Sequence, residues 1–405
     1  HQQNQSSLRT PVVHDFLASE GSSQKPIIGV KGTSHLQKVL QMPIDIPLDT
    51  MHLVYLGMTK RLFLHLMQKR LIDIEHTSYI LTSIKVPISI RRKPRGFDFV
   101  QHWKAMEWKY FLLYYSVICL HDTTEIQEEI LLMVILFSTA IYLLSSANVS
   151  EAEISSAKRL LLLFQQMVSR YLGKELMVYN THALIHLPDQ VKLFGPLWVT
   201  SVSMFESAFG IFKSFVKGSR NEATQMIARF IRYQKYSPGG SSENEENEVK
   251  CLGNLHAINR DTVVNFGLDL EEIIGEVFRI SVKDMLFTSY NYRRKEKSAS
   301  YYATAVENEC LVFVRIDYIV VDKHNKVTCL CTSFTHENLM VIFKSGFASR
   351  EIGLFDLLMN FCPIKLLRYG RLLALPAERL RMHFIGYESK EHFYAVPMLM
   401  NFEHD

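Results

Sequence analysis

YNTHALIHLPDQVKLFGPLWVTSVSMFESAFGIFKSFVKG, residues 179–218, decides how the rest of the chain is read. It sets His182 and His186 four residues apart, and twenty residues later Glu206 opens a lysine-bearing amphipathic run. On a helix, residues i and i+4 share a face, so both imidazoles point one way, as a pair of metal ligands requires. A structural zinc takes four ligands, and the chain holds no Cys-x-x-Cys. Two partly buried polar residues on a helix are the competing reading.

With Glu206 at zero on a helical wheel, Gly210, Lys213, Lys217 and Arg220 fall within about 40° of it. Phe205, Ala208, Phe209, Phe212 and Val216 form an adjoining face. The pattern predicts a helix that buries an aromatic stripe and shows solvent one carboxylate followed by a cationic row. Such a row suits a nucleic-acid backbone. A solvated amphipathic helix, with a glutamate in the first turn where the dipole favours it, accounts for the same pattern.

Working outward, the 405 residues are 48% hydrophobic and 21% charged, enough apolar material for two or three domains. A net charge of +4 permits contact with nucleic acid without demanding it. Six scattered cysteines read as a reducing compartment, and no secretory leader follows His1, so the chain reads as a fragment that is not secreted. Residues 130–147 carry no charge over a membrane-like length. They lack basic anchors and sit among other apolar helices, which predicts a buried core helix and no membrane.

Composition divides the chain into a loose segment 1–26, a helical region 27–236, an acidic Ser/Gly linker 237–250, a helical or irregular connector 251–299 and a small, mostly β domain 300–405. Asp49 suits the N-cap of the first long helix, although "DTMH" also pairs Asp49 with His52 in an active-site pattern. Arg91, Arg92, Lys93 and Arg95 form the densest basic cluster, a candidate phosphate-binding loop or a solvated flank of a core helix. "NYRRKEK" (291–297) is a second basic run. Cys329 and Cys331 share a strand face near His324 and His336, a pattern open to metal or to buried thiols.

In order along the chain, IIGVKGTSHL (27–36), PLDTMHLVYLGMTKRLF (47–63), RRKPRGF (91–97), HWKAMEWKYFLLYY (102–115) and the opening stretch resemble the C-terminal portion of CACTA-type (En/Spm-like) DNA transposases and their domesticated relatives. The resemblance implies an RNase H-like catalytic fold in which two Asp and one Glu hold two divalent ions for attack on DNA phosphates. It also implies a helical insertion before the Glu and a zinc site shared by Cys-x-x-Cys and His-x3-His. Carried over, Glu206 matches the catalytic glutamate, and His182 and His186 match the zinc histidines. Asp49 matches an Asp-x-Met-His of the insertion. The expected fold is therefore mainly α with a small β C-terminal domain, the helices being the insertion and terminal helices of an RNase H-like core.

Both catalytic aspartates and the cysteine pair are missing from this chain. One carboxylate does not hold two divalent cations about 4 Å apart. Zn²⁺ and Mg²⁺ are thus expected only in an intact relative. The expected function is a transposase-derived, DNA-associated protein, catalytically incomplete here, nuclear by resemblance or else cytoplasmic. Lys213, Lys217, Arg220, Arg91, Arg92, Lys93 and Arg95 are its candidate DNA contacts. Self-association is allowed, and neither a membrane nor a small-molecule substrate is expected. The alternative is a host-adopted helical scaffold that no longer touches DNA.

Overall fold

The computed structural model describes residues 10–122, 126–236, 249–269, 271–292, 298–343 and 353–399. Its helices begin with α1 (Pro11–Glu20), α2 (Lys60–Gln68), α3 (Ile74–Ser83), α4 (Ala105–Tyr110), α5 (Ser116–His121), α6 (Glu128–Leu144) and α7 (Glu151–Met167). They continue with α8 (Tyr179–Ala183), α9 (Leu187–Phe194), α10 (Ser203–Phe215) and α11 (Glu222–Tyr236). Wider-wound π turns at Met51–Thr59 and Phe111–Tyr115 lead into α2 and join α4 to α5.

The uncharged stretch becomes α6, which is apolar all round because other elements enclose it. Its Phe137 stacks on Phe164 of α7 at 4.6 Å, and its buried Ser138 donates to the Leu112 carbonyl at 2.7 Å. Around Phe111 gather Phe97, Trp103 and Trp108, with Phe63 of α2 edge-on at 4.7 Å. Ser150 and Glu153 exchange hydrogen bonds in the capping box that starts α7. Among the described residues, no helix is long and apolar enough to cross a membrane.

The second half of the chain is mostly strands: β1 (Val249–Cys251), β2 (Ile273–Glu276), β3 (Arg279–Val282), β4 (Met285–Thr288), β5 (Tyr302–Glu307), β6 (Cys310–Asp322) and β7 (Val327–Asn338). After these come β8 (Lys365–Pro376), β9 (Leu380–Glu388) and β10 (Phe393–Pro397), with α12 (Arg260–Asn265) and α13 (Leu354–Phe361) between strands. β1, β3 and β4 form one antiparallel sheet. The other runs β2-β6-β5-β9-β10-β8-β7, and β7 pairs back onto β6. Six strands thus close a ring, while β2 extends the half of β6 that β5 leaves unpaired. Aromatic rings fill the ring's interior. Phe334 of β7 and Phe384 of β9 lie three places apart around it and still approach to 6.5 Å. A bulge in β6 between Ile316 and Tyr318 leaves Asp317 buried, satisfied by Arg315 Nε at 2.7 Å and Thr332 Oγ1 at 2.6 Å.

This architecture overturns the expected fold class. The β part is a closed six-stranded antiparallel barrel with an extra strand, not a small domain appended to an RNase H-like core. Residues 310–338 and 380–397 form antiparallel hairpins of β-branched and aromatic residues, but β8, KLLRYGRLLALP, is rich in leucine and poor in β-branched residues, so its sequence hides a strand. Gly370 permits that strand: a Cβ there would lie 2.9 Å from Ser333 Oγ, where β7 and β8 slip register.

Helices and barrel share one core. β10 turns Phe393 and Ala395 to the barrel's aromatics, and Tyr394 and Val396 to the helices. Tyr394 Oη meets His121 Nδ1 at 2.8 Å, Tyr142 Oη donates to the Pro397 carbonyl at 2.8 Å, and Leu399 N donates to Tyr114 Oη at 3.1 Å. Residues 237–248 of the expected linker and 293–297 of the second basic run lie outside the described residues.

Candidate functional site

The 47–63 block and the 179–218 block meet in space. Leu48 N donates to Gln190 Oε1 at 3.1 Å, and Thr50 Oγ1 to the Leu197 carbonyl at 2.9 Å. Gly57 faces Asn180 so closely that a Cβ would lie 2.5 Å from Asn180 Nδ2. Asp49 accepts from Met51 N and His52 N, the work of an N-cap, and its Oδ1 also accepts from Val202 N at 3.0 Å, one residue before α10.

Asp49 Oδ2 lies 2.5 Å from His52 Nδ1, and His52 Nε2 lies 3.6 Å from Glu206 Oε1. The three side chains form an acid–imidazole–acid line at the start of α10. The carboxylate of Asp49 fixes the ring so that Nδ1 carries a proton and Nε2 points at Glu206. From the sequence, His52 stands out only as the second half of the Asp49–His52 pattern. The Asp49-x-x-His52 spacing was its signal, and the partner that gives it meaning is far away in sequence.

No group of three or more His, Cys, Asp or Glu among the described residues is placed to hold a metal ion. The residues around Glu206 therefore do not fit a two-ion centre, which needs several carboxylate oxygens. The histidine pair is different. His186 Nε2 and His182 Nε2 lie 3.4 Å apart, with rings edge-to-face at 5.1 Å. Zinc–imidazole bonds of about 2.0–2.1 Å at a tetrahedral angle span close to this distance. Burial, then the neighbouring His182, lowers the pKa of His186 and keeps its lone pair available. The two rings supply half of a tetrahedral set.

α10 stops at Phe215, so the wheel drawn through Arg220 describes a helix that is not there. Lys213 lies in its last turn. Lys217 and Arg220 follow in a turn that Gln225 staples: its Oε1 accepts from Lys217 N at 3.0 Å, and its Nε2 donates to the Gly218 and Arg220 carbonyls. The expected buried aromatic stripe is only partly covered. Phe212 and Phe215 pack on Phe230 and Tyr233 of α11, but Phe205 and Phe209 are 67% and 68% exposed, and α10 buries no residue fully.

The 91–95 cluster divides. Arg95 holds both oxygens of the buried Glu107, at 2.7 and 2.9 Å. Arg91 and Lys93 line a cleft against β3 and β4, and Arg92 is exposed. Cys329 and Cys331 are fully buried beside Ile316 and Leu373, and burial pushes both thiols up. His324 instead pairs with Glu272 at the surface.

Set against models of protein families, curated proteins and solved structures, the chain matches none.

Proposed function

We propose that this chain is a transposase-derived, DNA-associated protein, catalytically incomplete by itself. The observation that carries the reading is the convergence of the two sequence blocks behind the resemblance: Asp49 and His52 from the first stand against Val202 and Glu206 of the second. Lys213, Lys217 and Arg220 follow Glu206 on an exposed hairpin, where phosphates have access. Glu206 is then the remnant acid, and the His182–His186 pair the remnant of a zinc site. A mobility-shift titration at low salt tests the reading. Salt-sensitive binding that weakens on Lys213→Ala with Lys217→Ala supports it, and no binding at low salt defeats it. With Mg²⁺ supplied, supercoiled DNA is expected to stay uncut.

A second reading, a scaffold that binds protein and not DNA, is favoured by exposed apolar side chains on α10 and α11. Phe205, Phe209, Ile227 and Ile231 all stand more than half exposed.

A further inference from the structure

We propose that the cleft between the 86–93 loop and strands β3–β4 binds a phosphorylated nucleoside, as a free nucleotide or as one unit of a single strand. The cavity is about 440 Å³, within the size range of small-molecule sites. Its cations come from two distant parts of the chain: Arg91 and Lys93 from the loop, Arg279 from β3. No acidic residue lines it among the described residues, so its potential favours an anion.

The walls are fixed before any ligand arrives. Ala299 N donates to the Val86 carbonyl at 3.0 Å, and Ile88 N to the buried Ser300 Oγ at 2.9 Å, stitching the loop to the barrel entrance. β3 is paired on both edges, by β1 and β4. The Arg279 guanidinium is held over the Tyr292 ring at 5.6 Å, which orients its donors and leaves less entropy to lose on binding.

Shape and polarity select the nucleoside. A bare phosphate would meet the cations and leave the apolar wall of Val86, Pro87, Ile90 and Leu286 in water. A ligand with an anionic end and a flat apolar body uses both halves. The planar faces of Tyr292 and Arg279 suit a base better than an aliphatic chain. The lining shares no residue with α10, so the site does not rest on duplex binding by the α10 face.

Calorimetric titration of the whole chain at low salt tests this, with adenosine monophosphate, adenosine, inorganic phosphate, tetraglutamate and a thymidine decanucleotide as probes. The monophosphate is expected to bind about tenfold or more tighter than phosphate, adenosine or tetraglutamate. Lys93→Gln and Arg279→Gln should each weaken it about fivefold or more with unchanged thermal melting. Lys213→Ala with Lys217→Ala should leave it intact. A decanucleotide that binds more tightly than the monophosphate makes the single strand the source, and the reverse makes it the free nucleotide; either supports the proposal. Phosphate or tetraglutamate matching the monophosphate, or affinity untouched by both glutamine variants, overturns it.

Discussion

Asp49 and Val202 are 153 positions apart, and the Val202 amide donates to Asp49 Oδ1 at 3.0 Å. One carboxylate therefore caps the helix that begins at residue 51 and anchors the entry to α10, while also orienting His52 toward Glu206. Asp49→Ala removes all three functions. Loss of the cap and the tether is expected to cost about 1–2 kcal/mol in urea unfolding. Amide exchange should also quicken across 203–215, while Asp49→Asn, which still accepts from the amides, should lose less. Unchanged exchange in α10 would show that the tether does not hold the helix.

Arg95 belongs to the fold. Its fork holds the Glu107 carboxylate, whose side chain is 7% exposed and which also accepts from Lys104 N at 2.8 Å. Arg95→Ala strands that carboxylate away from solvent and is expected to cost about 2–4 kcal/mol. Arg95→Lys cannot reproduce the two-pronged contact and should recover only part. Arg92→Ala, on an exposed side chain, should stay within about 0.5 kcal/mol. Equal losses from Arg92→Ala and Arg95→Ala would contradict this division.

His383 makes the fold acid-sensitive. Its ring packs 4.5 Å from Phe287, Nε2 lies 3.1 Å from the Leu286 carbonyl, and burial lowers its pKa to about 4. His121 is lowered to about 4 as well, by burial first and by His392 second. Between about pH 6.5 and 4 the unfolded chain therefore binds protons that the folded chain refuses. Stability is complete above pH 6.5 and falls as pH drops through that window, by up to about 1.4 kcal/mol per pH unit for His383. His383→Phe keeps a ring against Phe287 and removes the titration. It should unfold more easily at pH 7.5, by about 1 kcal/mol for the lost hydrogen bond, but lose less between pH 7.5 and 5. A slope identical to that of the unaltered protein would remove His383 from the account.

Local signals were legible in the sequence wherever one segment sufficed. The uncharged run gave α6, and β-branched and aromatic runs gave the β6–β7 and β9–β10 hairpins. What depended on distant partners was hidden. Ring closure rests on β7 pairing with both β6 and β8, and nothing in KLLRYGRLLALP announces a strand. The role of His52 needs Glu206, and the cleft needs Arg279 beside Lys93. Helix length failed for a local reason: Gln225 captures the backbone at 217–220 and ends the row that the wheel continued.

The exposed apolar side chains of α10 and α11 should drive association. Phe205 and Phe209 are one turn apart on α10, and Ile227 and Ile231 one turn apart on α11, all largely exposed. Because these side chains bury little in the monomer, Phe205→Ser with Phe209→Ser should change unfolding free energy by less than about 1 kcal/mol. Sedimentation velocity should show concentration-dependent association of the unaltered chain and its loss in the double variant. A chain that stays monomeric at every concentration would mean that these side chains are not self-complementary.

The histidine pair makes the last prediction. Two imidazole nitrogens 3.4 Å apart chelate a divalent ion that prefers tetrahedral nitrogen ligands, with solvent completing the set. Zn²⁺ is therefore expected to bind weakly, with one ion per chain. His186→Ala or His182→Ala should each reduce the affinity about tenfold or more, because a chelate becomes a single ligand. Protons compete for the same nitrogens, so affinity should fall as pH drops. It should hold to lower pH than an ordinary histidine pair allows, since burial lowers the pKa of His186. Mg²⁺, which prefers oxygen ligands, should not compete. Zinc uptake indifferent to both alanine variants would place the ion elsewhere and strip the pair of its metal role.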